Sequence, residues 1–230
     1  MSKLRVFNEQ LVEQYKLLPH KSLFSYPLLV SSNNIYLDNI NKANPKIFYI
    51  GQETNCWINN VSLEEVNCDL LENAYFNFFY NRHCTNRDFW KFICKILDCQ
   101  REDLGKQVIW SNAYIVGKKN GLGTPPYKEE LEKISVDNLL FLSEFFKPDL
   151  TLFVTGPTWN YYNIMIEYLK NKKSVLLDKY PTKTNPIVED SENAIVWTYH
   201  PAYLHRLGIE EEIENYLQKQ YIKKSNFILK

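Results

Sequence analysis

Four short polar segments hold most of the side chains in this chain that can do chemistry, and each directly follows an apolar run. Ile47-Phe48-Tyr49-Ile50 leads into Gly51-Gln52-Glu53-Thr54-Asn55-Cys56-Trp57, and Val108-Ile109-Trp110 leads into Ser111-Asn112-Ala113-Tyr114. Leu150-Thr151-Leu152-Phe153-Val154 leads into Thr155-Gly156-Pro157-Thr158-Trp159. Ala194-Ile195-Val196-Trp197 leads into Thr198-Tyr199-His200-Pro201-Ala202-Tyr203-Leu204-His205-Arg206. Together they supply a carboxylate, a planar amide and an imidazole, groups that meet developing charge, hold protons and match donor and acceptor patterns. Taken singly each has a bland account: Glu53 caps a helix, Asn112 a turn, and His200 before a proline is a hydrogen-bonded scaffold residue. Their recurrence after four apolar runs weakens that account.

The elements that must position these groups follow from periodicity. The runs at 47–50, 108–110, 150–154, 175–177 and 194–197 are short and nearly all apolar, as strands buried on both faces of a sheet are. Segments with helical spacing lie at 8–17, 87–97, 128–146, 158–169 and 209–223. The alternation predicts an α/β fold with a mainly parallel central sheet covered by helices on both faces. Such sheets place their sites in the loops leaving the carboxyl ends of the strands, where the four polar segments fall.

Composition bounds the rest. At 230 residues, 45% hydrophobic, the chain is long enough for one substantial core, and 1–230 reads as a single domain. Lys+Arg and Asp+Glu both number 27, a formal net charge of +0, so no general attraction draws the chain to nucleic acid and a polyanion must meet a local patch. No apolar run is long enough to span a bilayer, and the N-terminal MSKLRVFNEQ has no apolar signal core, so a cytoplasmic protein is expected. Cys56, Cys68, Cys84, Cys94 and Cys99 form no C-x-x-C pair, which signals neither a disulfide framework nor a zinc ribbon; reduced thiols are expected.

With those residues in view, the sequence resembles the uracil-DNA glycosylase superfamily. The first motif of that family's best-known branch, Gly-Gln-Asp-Pro-Tyr-His, is similar to Gly51-Gln52-Glu53-Thr54-Asn55, which keeps two residues and an acid in the third place. Asn112-Ala113 fits the family's pyrimidine-reading asparagine, which ends a later apolar strand. His200-Pro201-Ala202-Tyr203-Leu204 resembles the last motif, His-Pro-Ser-Pro-Leu. The motifs occur in the family's order and span 47–206.

The resemblance implies a three-layer α/β/α sandwich and a monofunctional DNA glycosylase that flips out a pyrimidine and hydrolyses its N-glycosidic bond. Breaking that bond gathers positive charge on the sugar and negative charge on the departing base, so the site needs an anion near the sugar and donors at the base oxygens. Glu53 takes the acid's place, with one methylene more than the family's Asp. His200, neutral, donates to a pyrimidine O2. Asn112 matches the N3 and C4 edge, with Gln52 beside it, and which base it prefers depends on how neighbours orient its amide. Trp57 is the first candidate for a stacking face. Tyr75 and Phe76, in an aromatic run, read as core packing. Leu204 aligns with the family's intercalating leucine, flanked by Tyr203 and Arg206. Gly156 and Thr158 precede a helix whose amino end suits a phosphate, though Thr158 can equally cap it. Lys118 and Lys119 precede the Gly121-Leu122-Gly123-Thr124-Pro125-Pro126 loop, read as solvated surface with a lesser claim to DNA contact.

Asn55 is the informative departure. The uracil-specific branch has a tyrosine there that blocks the pyrimidine C5 position, so an asparagine implies room for a C5-substituted or mismatched base as well as uracil. Repair and defence against phage with modified DNA both fit. The iron–sulfur branches need four suitably placed cysteines, none of which precedes Asn55, so no metal or cofactor is expected. The competing class is a catalytically inactive DNA- or nucleotide-binding module on the same fold. An unrelated nucleotide enzyme is disfavoured because neither G-x-G-x-x-G nor G-x-x-x-x-G-K-[ST] is present.

Overall fold

The apolar runs pair into one sheet because, buried on both faces, they satisfy their backbone groups only against one another. The computed structural model describes residues 2–54, 58, 61–81, 87–121 and 123–222. Among these the strands are β1 (Ile47–Glu53), β2 (Val108–Tyr114), β3 (Leu150–Phe153), β4 (Ile187–Asp190) and β5 (Ile195–Thr198), in the spatial order β2-β1-β3-β5-β4. β1 runs parallel to β2 and β3, and β3 to β5, while β4 closes the edge antiparallel to β5. The helices are α1 (Lys3–Leu17), α2 (Asn34–Lys42), α3 (Cys68–Tyr80), α4 (Asp88–Leu97), α5 (Glu129–Phe146), α6 (Trp159–Asn171), α7 (Pro201–Leu207) and α8 (Glu210–Leu217).

The register shows which helices cover which face. Tyr49 pairs with Trp110, and both rings meet aromatics of α3 and α4: Tyr75 lies 6.1 Å from Trp110, and Trp90 lies 5.0 Å from Trp110 and 6.3 Å from Tyr49. One residue on, Ile50 pairs with Ser111 and Phe153, which point the other way. There Asn138 of α5 donates to Ser111 Oγ at 3.1 Å, and Tyr168 of α6 packs edge-on to Phe153 at 5.1 Å. Helices therefore cover both faces of a five-stranded, mostly parallel sheet, an α/β architecture compatible with a three-layer sandwich. Alternation returns Gly51 of β1, with Asn112 of β2, to the side of Tyr49, while Glu53 and Tyr114 at the strand ends meet Tyr161 of α6.

Three sequence expectations change. The run at 175–177 is a turn: Val175 is 56% exposed while Leu176 is buried, and the Asp190 carboxylate accepts from Ser174 Oγ at 2.7 Å and the Val175 amide at 3.2 Å. The remaining strand is instead Ile187–Asp190, whose alternating burial suits an edge. The residues after His200 form α7 rather than a loop. His200 is its N-cap, Pro201 its first residue and Gly208, at φ +70, its C-cap. Finally, the N-terminal helix starts at Lys3, capped by Ser2 Oγ accepting the Arg5 amide at 3.1 Å, and the C-terminal one passes into a π turn at Gln218–Ile222. No helix among the described residues is long and apolar enough to cross a membrane.

Candidate functional site

The site is built where β1, β2 and β5 end. Gly51 is its hinge of space: a Cβ there would collide with Asn112 Oδ1 and lie 3.0 Å from the Phe89 ring. The missing side chain is what lets an amide and an aromatic face meet over the strand. Asn112 is buried, and its amide orientation follows from its neighbours. Thr54 Oγ1 gives its proton to the Ile115 carbonyl at 2.9 Å, so it can only accept from Asn112 Nδ2, at 3.0 Å. Nδ2 is thereby turned to Thr54, and Oδ1 faces the space beside Gly51 and Phe89. The orientation left open by sequence is thus fixed by a threonine three residues beyond Gly51.

Phe89, in the first turn of α4, is the residue that sequence reasoning missed. Its carbonyl accepts from the Tyr49 hydroxyl at 2.9 Å, and its ring packs against Tyr49 at 4.4 Å and Trp90 at 4.9 Å. Trp90 is 4% exposed, a burial that stabilises by about 1.5–3 kcal/mol and anchors the helix start. The half-buried Phe89 ring also lies near parallel to His200, with centroids 5.8 Å apart. The available signal was the Asp88-Phe89-Trp90 run opening a predicted helix, but nothing in the chain linked it to Gly51.

His200 sits in the N-cap place of α7, where its Nδ1 accepts the Ala202 amide at 3.2 Å. That bond assigns the remaining proton of a neutral ring to Nε2. Burial pushes the imidazole down to about 4, with Arg206 adding to the shift and Asp88 opposing it. At neutral pH His200 is therefore an uncharged donor through Nε2.

Glu53, the last residue of β1, is half-buried, and its Oε2 accepts from the Tyr161 hydroxyl of α6 in a short contact. Gln52 points away, its Nε2 donating to the Thr155 carbonyl at 2.9 Å and tying the end of β1 to the turn after β3. In that turn Gly156 takes φ +70 and donates its amide to the Thr198 carbonyl at 3.0 Å. Thr158 occupies the N-cap place of α6 with an extended backbone, but its side chain makes no capping bond and is exposed.

Leu204 corrects the sequence reading. It is fully buried in the core on the inner face of α7, so it presents nothing to a duplex. The reason is helical: α7 turns Leu204 inward and leaves Arg206 exposed, with Tyr203 half-buried between them. Arg206 lies over the Tyr203 ring at 5.5 Å, and Tyr203 packs on Tyr199 at 4.8 Å. Lys118 is half-buried beside a bridge to Phe24, and Lys119 is exposed with its amide on the Leu23 carbonyl at 3.0 Å. Tyr75 is core as expected, donating to the Trp110 carbonyl at 3.3 Å, and Phe76 stacks on Tyr80 at 4.5 Å. Asn55 and Trp57 lie outside the described residues.

Fold and site thus define an α/β protein with an amide, an aromatic ring and an imidazole gathered at the carboxyl ends of its parallel strands. Among the described residues no cluster of three or more His, Cys, Asp or Glu stands ready to hold a metal ion. Compared with protein-family models, curated proteins and solved structures, the chain matches none.

Proposed function

We propose that this chain is a DNA glycosylase with a uracil-DNA glycosylase-like fold, which takes a pyrimidine out of DNA and hydrolyses its N-glycosidic bond to leave an abasic site. The observation that carries the reading is the meeting of Asn112 and Phe89 over the bare backbone of Gly51, with His200 5.8 Å from the Phe89 ring, at the end of the strand that also carries Glu53. A flipped base needs a face to stack on, worth about 1–3 kcal/mol, and Phe89 offers one beside an oriented amide. His200 offers an uncharged Nε2–H to the O2 where charge gathers as the bond breaks, without bringing a full positive charge of its own. Glu53 supplies the anion that orients water and faces the oxocarbenium ion.

DNA is the partner, and its phosphates meet local groups, not a general field, since the chain is neutral overall. Arg206 with Tyr203, the uncapped start of α6 behind Gly156, and Lys118 with Lys119 are the groups available. The substrate is a modified, mismatched or C5-substituted pyrimidine at least as readily as uracil, a reading that rests on Asn55 in the sequence. The test is a panel of duplexes and single strands bearing uracil, mismatched thymine, hydroxymethylcytosine and its glucosylated forms, treated with alkali after incubation. Strand breaks at one class of base support the proposal. Covalent trapping by borohydride contradicts a water-attack mechanism, and tight binding with no breaks at any base favours the inactive binding module.

A further inference from the structure

We propose that Tyr161 is the positioning residue for Glu53; this deepens the glycosylase reading and rests on it. Tyr161 is 5% exposed in α6, on the helix layer opposite α4, and its hydroxyl proton goes to Glu53 Oε2. A hydrogen bond to a carboxylate is among the stronger kinds. Burial, followed by the neighbouring Glu53, pushes the phenol far above its ordinary value, so it stays a donor across the working range.

The geometry explains how a glutamate can serve where the resemblance expects an aspartate. The extra methylene adds a rotatable bond, which on its own would blur the aim of the carboxylate. The ring of Tyr161 is fixed from the side by Tyr114, the register partner of Glu53, with centroids 6.0 Å apart. Other acids face this cluster from α5: Glu129 and Glu132 lie near Tyr114, and Glu132 accepts from Asn163 of α6 at 3.0 Å. A donor fixed by packing therefore holds one carboxylate in place among several acids.

The test is a pair of double-mutant cycles between Tyr161→Phe and Glu53→Gln, one read by chemical denaturation and one by single-turnover base release. Phenylalanine keeps the buried ring, so folding is preserved. The stability cycle is expected to show coupling of about tenfold or more in the folding equilibrium constant, whatever the protein's activity. The kinetic cycle is expected to show that Tyr161→Phe slows release about tenfold in the wild-type background with DNA affinity unchanged, and has no further effect once Glu53 is Gln. Additive effects in the stability cycle, or equal slowing in both backgrounds, overturn the proposal. A wild type that releases no base overturns the glycosylase reading itself and with it the catalytic half of this one, while the stability cycle still reports whether Tyr161 holds the carboxylate.

Discussion

His200→Asn isolates the protonation state on which the proposed base-side chemistry depends. In the folded protein burial lowers the imidazole from 6.5 to about 4. In the unfolded chain it returns to its ordinary value near 6.5. As pH falls through the unfolded value, the unfolded chain takes up a proton that the folded one refuses, so stability is lost; the loss is complete only below the folded value. Taking the ratio of the two proton-binding terms at pH 5 gives a factor of about 30, or about 2 kcal/mol of destabilisation relative to neutral pH. Asparagine is a good N-cap and can accept the Ala202 amide in place of Nδ1, so the variant keeps the helix start while removing the titration. Urea denaturation at pH 7.5 and pH 5 should therefore show wild type losing about 2 kcal/mol more than the variant, because every other titrating group is common to both. Equal losses would mean that His200 is protonated normally in the fold, and the argument for an uncharged donor would fail.

Three further outcomes follow from the same geometry. Gly51→Ala should cost about 1–3 kcal/mol in thermal or urea unfolding by overfilling the contact with Asn112 and Phe89, and should slow any base release more than it weakens DNA binding. Leu204→Ala should cost about 2–5 kcal/mol of stability by opening a core cavity, and should impair duplex and single-stranded substrates equally once folded protein is compared; a selective loss on duplex would restore the wedge. Arg206→Ala should lower the slope of log affinity against log salt by about one, measured by fluorescence anisotropy, whereas an unchanged slope would remove Arg206 from the phosphate contacts.

The parallel strands were legible because burial on both faces leaves a continuous apolar run, as at Ile47-Phe48-Tyr49-Ile50 and Ile195-Val196-Trp197. The edge strand was not, because Ile187-Val188-Glu189-Asp190 buries only alternate residues and Val175-Leu176-Leu177 imitates a strand more closely. Helix α7 carried its own signature, Pro201 at the start and Gly208 past the end, but the motif likeness at His200 drew the reading toward a loop and toward an exposed Leu204. At the site, Glu53, Asn112 and His200 were visible because each follows an apolar run. Phe89 and Tyr161 were hidden for a common reason: each sits on an aromatic helical face indistinguishable in sequence from core. Only the folded chain brings Phe89 against Gly51 and Tyr161 against Glu53.

The most direct measurement of the central claim is mass-spectrometric detection of free pyrimidine released from defined oligonucleotides by wild type, Glu53→Gln and Asn112→Ala at matched DNA occupancy. The account predicts that wild type liberates one base class in step with abasic sites. Release should fall by about a hundredfold or more in Glu53→Gln, in the range that proton-handling and charge-stabilising side chains contribute. Asn112→Ala should lose discrimination between bases together with rate. No free base from any oligonucleotide under conditions where wild type is bound to DNA, or release that is indifferent to both substitutions, would contradict it.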